Sequence, residues 1–351
     1  TRSFHVTGVQ TCALPIFKEK KRKKEKAKEP EVAEAQEKDK ENRLVQGAFI
    51  AVDPVTGHIL SLVGGRSYEE SNFNRVLLMR RSIGSLIKPF VYLSALLHGK
   101  NPDGSPMSSI SKFEDKPFTY EYDKKSWSPK NFEEEFAGTV TMRYALAHSI
   151  NTVAAQVAVE TGLENLVSVG KFAGFEAELR AIPALSLGAV ETQPLDIARA
   201  YSTLANFGVK KDLTSVLAIV AEDGRPLAKF TAKEEKSLPP EETANIVQMM
   251  TTVFESGTAH AARAAGFQWP AAGKTGTTNE FRDAWFAGFT RKIVGVSWVG
   301  FDRDDEIVRK HRWSNKEAKW HKEQGKNVIK LDRKSTRLNS SHVKRSRMPS
   351  S

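Results

Sequence analysis

Residues 47–63 read Gly47-Ala48-Phe49-Ile50-Ala51-Val52, then Asp53-Pro54-Val55-Thr56-Gly57, then His58-Ile59-Leu60-Ser61-Leu62-Val63. Two short apolar runs around a turn rich in Asp, Pro and Gly predict a β-hairpin. Three more strand-like runs stand far along the chain, at 274–278, 283–289 and 294–301, the last two joined by a tight turn at Thr290-Arg291-Lys292. Between these groups the pattern is helical. Residues 85–98 form an apolar helical segment closed by Gly99, 141–149 and 152–160 read as two helices around a short break, and Gly162 stops the second. Residues 194–206 begin with proline in the first turn and end just before Gly208, and 241–254 read as a further helix. A second hairpin is expected where 215–220 and 226–230 flank Glu222-Asp223-Gly224. The expected fold is mixed α/β of the α+β type. An antiparallel sheet is built from both ends of the domain and packed with helices, and the remaining helices form a separate layer or lobe.

The 351 residues are 40% apolar and 27% charged, enough to build a packed core and too apolar for global disorder. No stretch reaches the roughly 18 continuous apolar residues of a membrane span. A single cysteine, Cys12, excludes an internal disulfide framework and a thiolate metal cluster. The net charge of +11 lies in the tails: 1–46 carry 12 basic against 8 acidic residues, and 309–351 carry 14 against 3. The body between them is net −4, which gives no support for a nucleic-acid groove. Residues 18–46 read as a charged linker, solvated or helical, with a membrane-surface or nucleic-acid arm as the alternative. Residues 1–17 read as a non-native flank. Part of that flank, 1–16, and roughly 332–351 resemble translated adapter sequence, and the whole of 309–351 is a doubtful or non-native tail.

Three short motifs carry chemistry. Ser85-Leu86-Ile87-Lys88 places a hydroxyl and an amine one helical turn apart, so a neutral amine could take the serine proton. Four Ser-x-x-Lys matches occur, at Ser85, Ser109, Ser168 and Ser341, but only Ser85 opens a long apolar helix. Lys88 falls among Leu86, Ile87, Phe90 and Val91, where a lysine must be paired or have a lowered pKa. Ser149-Ile150-Asn151 lies in the break between two helices, where both polar side chains either aim into a cleft or simply cap a helix. Gly273-Lys274-Thr275-Gly276-Thr277 reads as a strand whose Gly276 permits close approach of a ligand. Strand alternation points Lys274 away from Thr275 unless the strand twists. A phosphate-binding loop would need glycine where Gln268 stands, and it would open a helix.

The three motifs follow one another in the order nucleophile helix, loop, strand, which is the signature set of penicillin-binding proteins and related β-lactamases. With Arg81-Ser82-Ile83-Gly84-Ser85, Trp127-Ser128-Pro129-Lys130-Asn131, Leu185-Ser186-Leu187-Gly188, Arg282-Asp283-Ala284-Trp285-Phe286 and Trp298-Val299-Gly300, residues 47–308 resemble the transpeptidase domain of class A, bifunctional penicillin-binding proteins.

The resemblance implies that Ser85 attacks the penultimate D-Ala carbonyl of a peptidoglycan stem ending in D-Ala-D-Ala. Lys88 accepts the proton, for which its pKa must fall from roughly 10.4 to near 7. Ser149 passes the proton to the departing D-Ala amine, and Asn151 holds the substrate amide. Lys274, Thr275 and Thr277 bind the terminal carboxylate beside Gly276, and the N–H groups of Ser85 and Thr277 form the oxyanion hole. An amine on a neighbouring stem then takes the acyl group, and β-lactams trap Ser85 as an ester. No cofactor and no metal is implied. The expected partners are stem peptides, β-lactam antibiotics and other cell-wall synthesis proteins, with no nucleic acid.

Proteins of that class carry a membrane anchor and a glycosyltransferase domain, so the resemblance implies a parent protein that is membrane-anchored and extracytoplasmic and that polymerises glycan. A Gly-rich segment and a final helix are expected after Phe301, and 309–331 show neither, which would leave a sheet face uncovered. The alternatives are a D,D-carboxypeptidase, a β-lactamase, a noncatalytic β-lactam sensor and a basic-tailed binding module. A β-lactamase would need a deacylating glutamate, and Glu164 lacks the surrounding pattern. A Ser-His-Asp hydrolase lacks the Gly-x-Ser-x-Gly elbow, so His148 is expected to be a cap or surface residue.

Overall fold

The structure, a computed structural model, describes residues 44–132, 135–278 and 282–302. The opening hairpin forms as β1 (Gln46–Val52) and β2 (Ile59–Val63), with a register shift at Ala51/Val52. β3 (Ala272–Thr277), β4 (Asp283–Phe289) and β5 (Val294–Gly300) complete one antiparallel five-stranded sheet in the order β3-β4-β5-β1-β2. Both ends of the domain therefore meet in the centre of the sheet, where Ala48 lies opposite Trp298 and Ile50 opposite Val296.

Strand alternation gives the sheet two unlike faces. Ile50, Val52, Trp285, Val294, Val296 and Trp298 point inward and are buried. They pack on helix Pro194–Ala205, whose Ile197, Ala198, Tyr201 and Leu204 form its buried stripe. On the residues lying outside the core, Phe49, Leu60 and Val299 remain 39–47% exposed. Residues 309–331, in which the covering helix is expected to be missing, lie outside the described residues, as does Ser341.

The helical layer centres on α1 (Lys88–His98), which touches α3 (Asn151–Thr161), α4 (Leu163–Ala173) and α6 (Pro240–Glu255); α2 (Met142–Ala147) leads into α3, and Pro194–Ala205 is α5. Phe90 on α1 meets Phe175 and Tyr201 edge-on, tying this layer to the one beneath the sheet.

Two local readings change. The helix anticipated over 85–98 starts as a 3-10 turn, Gly84–Ile87, and becomes α-helical only at Lys88. Pro89 fits the first turn because its missing N–H would find no helical partner there. Helix α4 was not anticipated at all. Gly162, at φ 98°, ends one helix and caps the start of the next in a single residue, so no polar loop marks the boundary. Its buried Leu166, Val169, Gly170 and Ala173 do carry helical spacing. The second hairpin forms as Ala218–Val220 with Pro226–Lys229, a two-stranded ribbon separate from the main sheet.

Candidate active site

Ser85 sits on the 3-10 turn, partly exposed, and the turn is pinned from several sides. The Tyr201 hydroxyl donates to the Leu86 carbonyl at 2.9 Å, Trp285 Nε1 donates to the Ser82 carbonyl at 3.1 Å, and the Ser82 hydroxyl donates to the Gly188 carbonyl at 2.7 Å. Gly84 adopts φ 52°, and a Cβ there would stand 2.7 Å from the Thr277 carbonyl. A Cβ on Gly276 would meet Leu86 and the Ile83 carbonyl at 2.9 and 3.0 Å. Glycine at both positions lets the end of β3 lie directly against the turn that carries Ser85.

Lys88 is fully buried. Its Nζ donates to Asn151 Oδ1 at 2.6 Å and to the Ser149 carbonyl at 2.7 Å, and it lies 3.2 Å from the Ser149 hydroxyl. None of these bonds goes to Ser85. Two good acceptors can satisfy the two N–H bonds of a neutral amine and leave its lone pair for a proton. Burial pushes the Lys88 pKa well below 10.5, and the charge of Lys274 pushes it the same way.

Lys274 is also fully buried, and burial lowers its pKa to about 7. Its Nζ donates to the Ser149 hydroxyl and to the Thr275 carbonyl, each at 2.9 Å. The alternation problem resolves through the main chain. The lysine folds back to its neighbour's carbonyl, while the Thr275 hydroxyl turns elsewhere and donates to Thr258 Oγ1 at 2.6 Å. The phosphate-loop reading fails, because 272–277 is a strand paired with β4.

Ser149 holds φ 57°, a left-handed conformation uncommon outside glycine. It closes α2: Ser149 N–H donates to the Leu146 carbonyl at 3.2 Å and Ile150 N–H to the Ala145 carbonyl at 2.9 Å, the paired bonds of a Schellman motif. That turn faces the Ser149 hydroxyl toward both lysines. The capping alternative does not hold for Asn151, since α3 has Ile150 at its cap and Asn151 Oδ1 belongs to Lys88.

Lys88, Ser149, Asn151 and Lys274 thus converge from α1, the α2–α3 break and β3, while the 3-10 turn that carries Ser85 leads into Lys88 and lies against Gly276 and Thr277, with Thr275 beside Thr258. The other described Ser-x-x-Lys matches stay apart: Ser109 Oγ accepts from Arg143 Nη2 at 3.3 Å, and Ser168 donates to the Glu164 carbonyl within α4. The Glu164 side chain is exposed. His148 is the C-cap residue of α2, its ring tilted 34° to that of Tyr144 with centroids 4.1 Å apart. Sequence reasoning assigned no role to Thr258, Asn131 or Asp115. Asn131 and Asp115 reach the site through Asn151 and Thr152. Among the described residues no group of His, Cys, Asp and Glu could hold a metal, and no helix is long and apolar enough to cross a membrane.

The family model for the penicillin-binding protein transpeptidase domain matches residues 47–302. Penicillin-binding protein 1A of Aquifex aeolicus is 42% identical over 260 residues, covering 74% of this chain and 34% of that protein. Penicillin-binding protein 1B of Haemophilus influenzae is 32% identical over 268 residues, covering 76% and 34%. The chain therefore spans about a third of the length of these curated relatives. Among solved structures, penicillin-binding protein 1A from Haemophilus influenzae superposes with a TM-score of 0.69 at 27% identity, over 76% of this chain and 45% of that one. PonA1 from Mycobacterium tuberculosis in complex with penicillin V has the same fold, with a TM-score of 0.64 at 23% identity, over 79% and 76%.

Proposed function

The chain belongs to the penicillin-binding protein transpeptidase family, and from that premise we propose that it is a serine-type D,D-transpeptidase acting on peptidoglycan stems ending in D-Ala-D-Ala. The observation that carries the reading is the meeting of two buried lysines on the Ser149 hydroxyl, beside the turn that bears Ser85.

Neutral Lys88 removes the Ser85 proton as Ser85 Oγ bonds to the penultimate D-Ala carbonyl carbon. The N–H groups of Ser85 and Thr277 hold the resulting oxyanion, a contribution typically worth about 100- to 1000-fold per donor. Collapse breaks the bond to the terminal D-Ala nitrogen. The proton held on Lys88 passes through the Ser149 hydroxyl to that nitrogen, which leaves as an amine. Lys274, with Thr275 and Thr277, holds the substrate carboxylate, and Asn151 Nδ2 has a second N–H for the substrate amide. An amine of a neighbouring stem then attacks the Ser85 ester, returning the serine and forming the cross-link. β-Lactams acylate Ser85 by the same first step.

A β-lactamase or a carboxypeptidase shares that step and differs in handing the acyl group to water. The exposure of the Glu164 side chain on α4 argues against it as a deacylating base. The proposed transpeptidase domain spans 47–308 of an extracytoplasmic, membrane-anchored, glycan-polymerising parent.

Mass spectrometry after penicillin treatment tests the assignment. The expected result is a single adduct on Ser85, absent in Ser85→Ala. An unmodified Ser85 in demonstrably folded protein overturns it.

A further inference from the structure

The first N–H groups of a helix have no partner within it, and Ile150, at the cap of α3, has no side-chain oxygen to offer them. Asn151, the first helical residue, gives its Oδ1 to Lys88 Nζ. Helix α3 is capped from another segment instead: Asn131 Oδ1 accepts from Asn151 N at 3.0 Å and Thr152 N at 3.2 Å. Asn131 is itself anchored, its Nδ2 donating to Asp115 Oδ1 at 2.8 Å and to the Glu135 carbonyl at 3.1 Å. Asp115 is buried and also accepts from the Thr152 hydroxyl and, at 2.8 Å, from Ala137 N. The adjoining Lys130 carbonyl accepts from Asn151 Nδ2 at 2.8 Å, so one loop grips both the backbone and the side chain of Asn151.

We propose that Asn131 is a positioning residue for acylation: it satisfies the first two N–H groups of α3, and with the adjoining Lys130 carbonyl it fixes Asn151 so that its carboxamide orients the Lys88 amine. The inference rests on the reading of Ser85 and Lys88 as nucleophile and base. Its physical content is one loop that holds the helix start and the Asn151 carboxamide together. Without Asn131, two N–H groups at the helix start lose their partner, and a buried donor left unpaired is costly. The loop then no longer fixes the start of α3, and the Asn151 carboxamide loses its alignment with Lys88 Nζ. A base shifted by a fraction of a turn is no longer aligned with its proton.

A double-mutant cycle on the acylation rate by a fluorescent penicillin tests this, with melting temperature recorded for each variant. Asn131→Ala is expected to slow acylation at least about tenfold. In an Asn151→Ala background the same change is expected to matter less than about twofold, because the side chain through which Asn131 acts is gone. A purely structural residue would lower the melting temperature and slow acylation by the same factor in both backgrounds, and that result overturns the proposal, as does an unslowed Asn131→Ala. If Asn131→Ala does not fold, Asn131→Ser runs the same cycle, its hydroxyl being too short to reach both N–H groups and Asp115 together. A folded wild-type protein that takes no label overturns the acyltransferase reading and this role with it; a labelled wild type with equal factors overturns this role alone.

Discussion

Lys274 Nζ donates to Ser149 Oγ over 2.9 Å, and that same oxygen lies 3.2 Å from the buried amine of Lys88. Two ammonium groups, both fully buried and sharing one hydroxyl, repel each other and lack solvation. The arrangement therefore favours at least one neutral amine, which is what a proton acceptor must be at neutral pH.

Stability is expected to rise with pH above neutrality. Lys274 titrates at about 7 in the folded protein and near its ordinary 10.5 when unfolded, so between those values the unfolded chain binds more protons. Stability then increases as pH rises through this window and levels off above it. Lys88, lowered in the same direction, adds to the slope. Melting temperatures measured from pH 7 to 10 should climb in the wild type and climb less in Lys274→Met; parallel curves would contradict the burial argument.

Lys88→Ala is expected to slow penicillin acylation by at least about 100-fold while the fold is retained, the usual size of a general-base contribution. Lys274→Met should move the acid limb of the acylation profile to higher pH, because removing that charge lets the Lys88 pKa rise. Ser109→Ala and Ser168→Ala should acylate like wild type. Stopped-flow labelling reads all four, and near-normal acylation of Lys88→Ala would remove that residue from the base role.

Ser149→Gly and Ser149→Ala both lose the shared hydroxyl and should both acylate slowly. They should differ in stability, since glycine holds a left-handed φ without the cost of roughly 1 kcal/mol that alanine carries there. Thermal melts should place the glycine variant about 2–4 °C above the alanine variant. Equal melting points would mean that the turn carries no such strain.

Gly188→Ala should damage both fold and labelling. Gly188 has φ 82°, and a Cβ there would lie 2.0 Å from the Gly84 carbonyl, next to Ser85. Backbone would have to separate, at an expected cost above about 2 kcal/mol. Gly138→Ala is the comparator: φ 70° but open space around the Cβ, so only the conformational cost of about 1 kcal/mol applies. Chemical denaturation and acylation rates check both, and equal losses would refute the close packing at Gly84.

Much of this was legible in one dimension. Alternation and turn residues marked the strands at both ends, since a sheet with one buried face must alternate. The apolar neighbours of Lys88 announced a buried amine, because Leu86, Ile87 and Phe90 cannot surround a solvated one. Helix α4 was missed although its stripe was there, since Gly162 joins it to α3 without a loop. The left-handed turn at Ser149 left no sign, because serine is not the residue that usually adopts it.

The chain by itself determined which residue types carry the chemistry and the elements that bear them, because periodicity, turn composition and short motifs are local properties. Only the tertiary structure decided that Lys88 and Lys274 share one hydroxyl, that Thr258 takes the Thr275 hydroxyl, and that Asn131 caps a helix it does not belong to. Those are hydrogen bonds between segments far apart in sequence. Their geometry depends on how the layers pack, and no spacing along the chain encodes it.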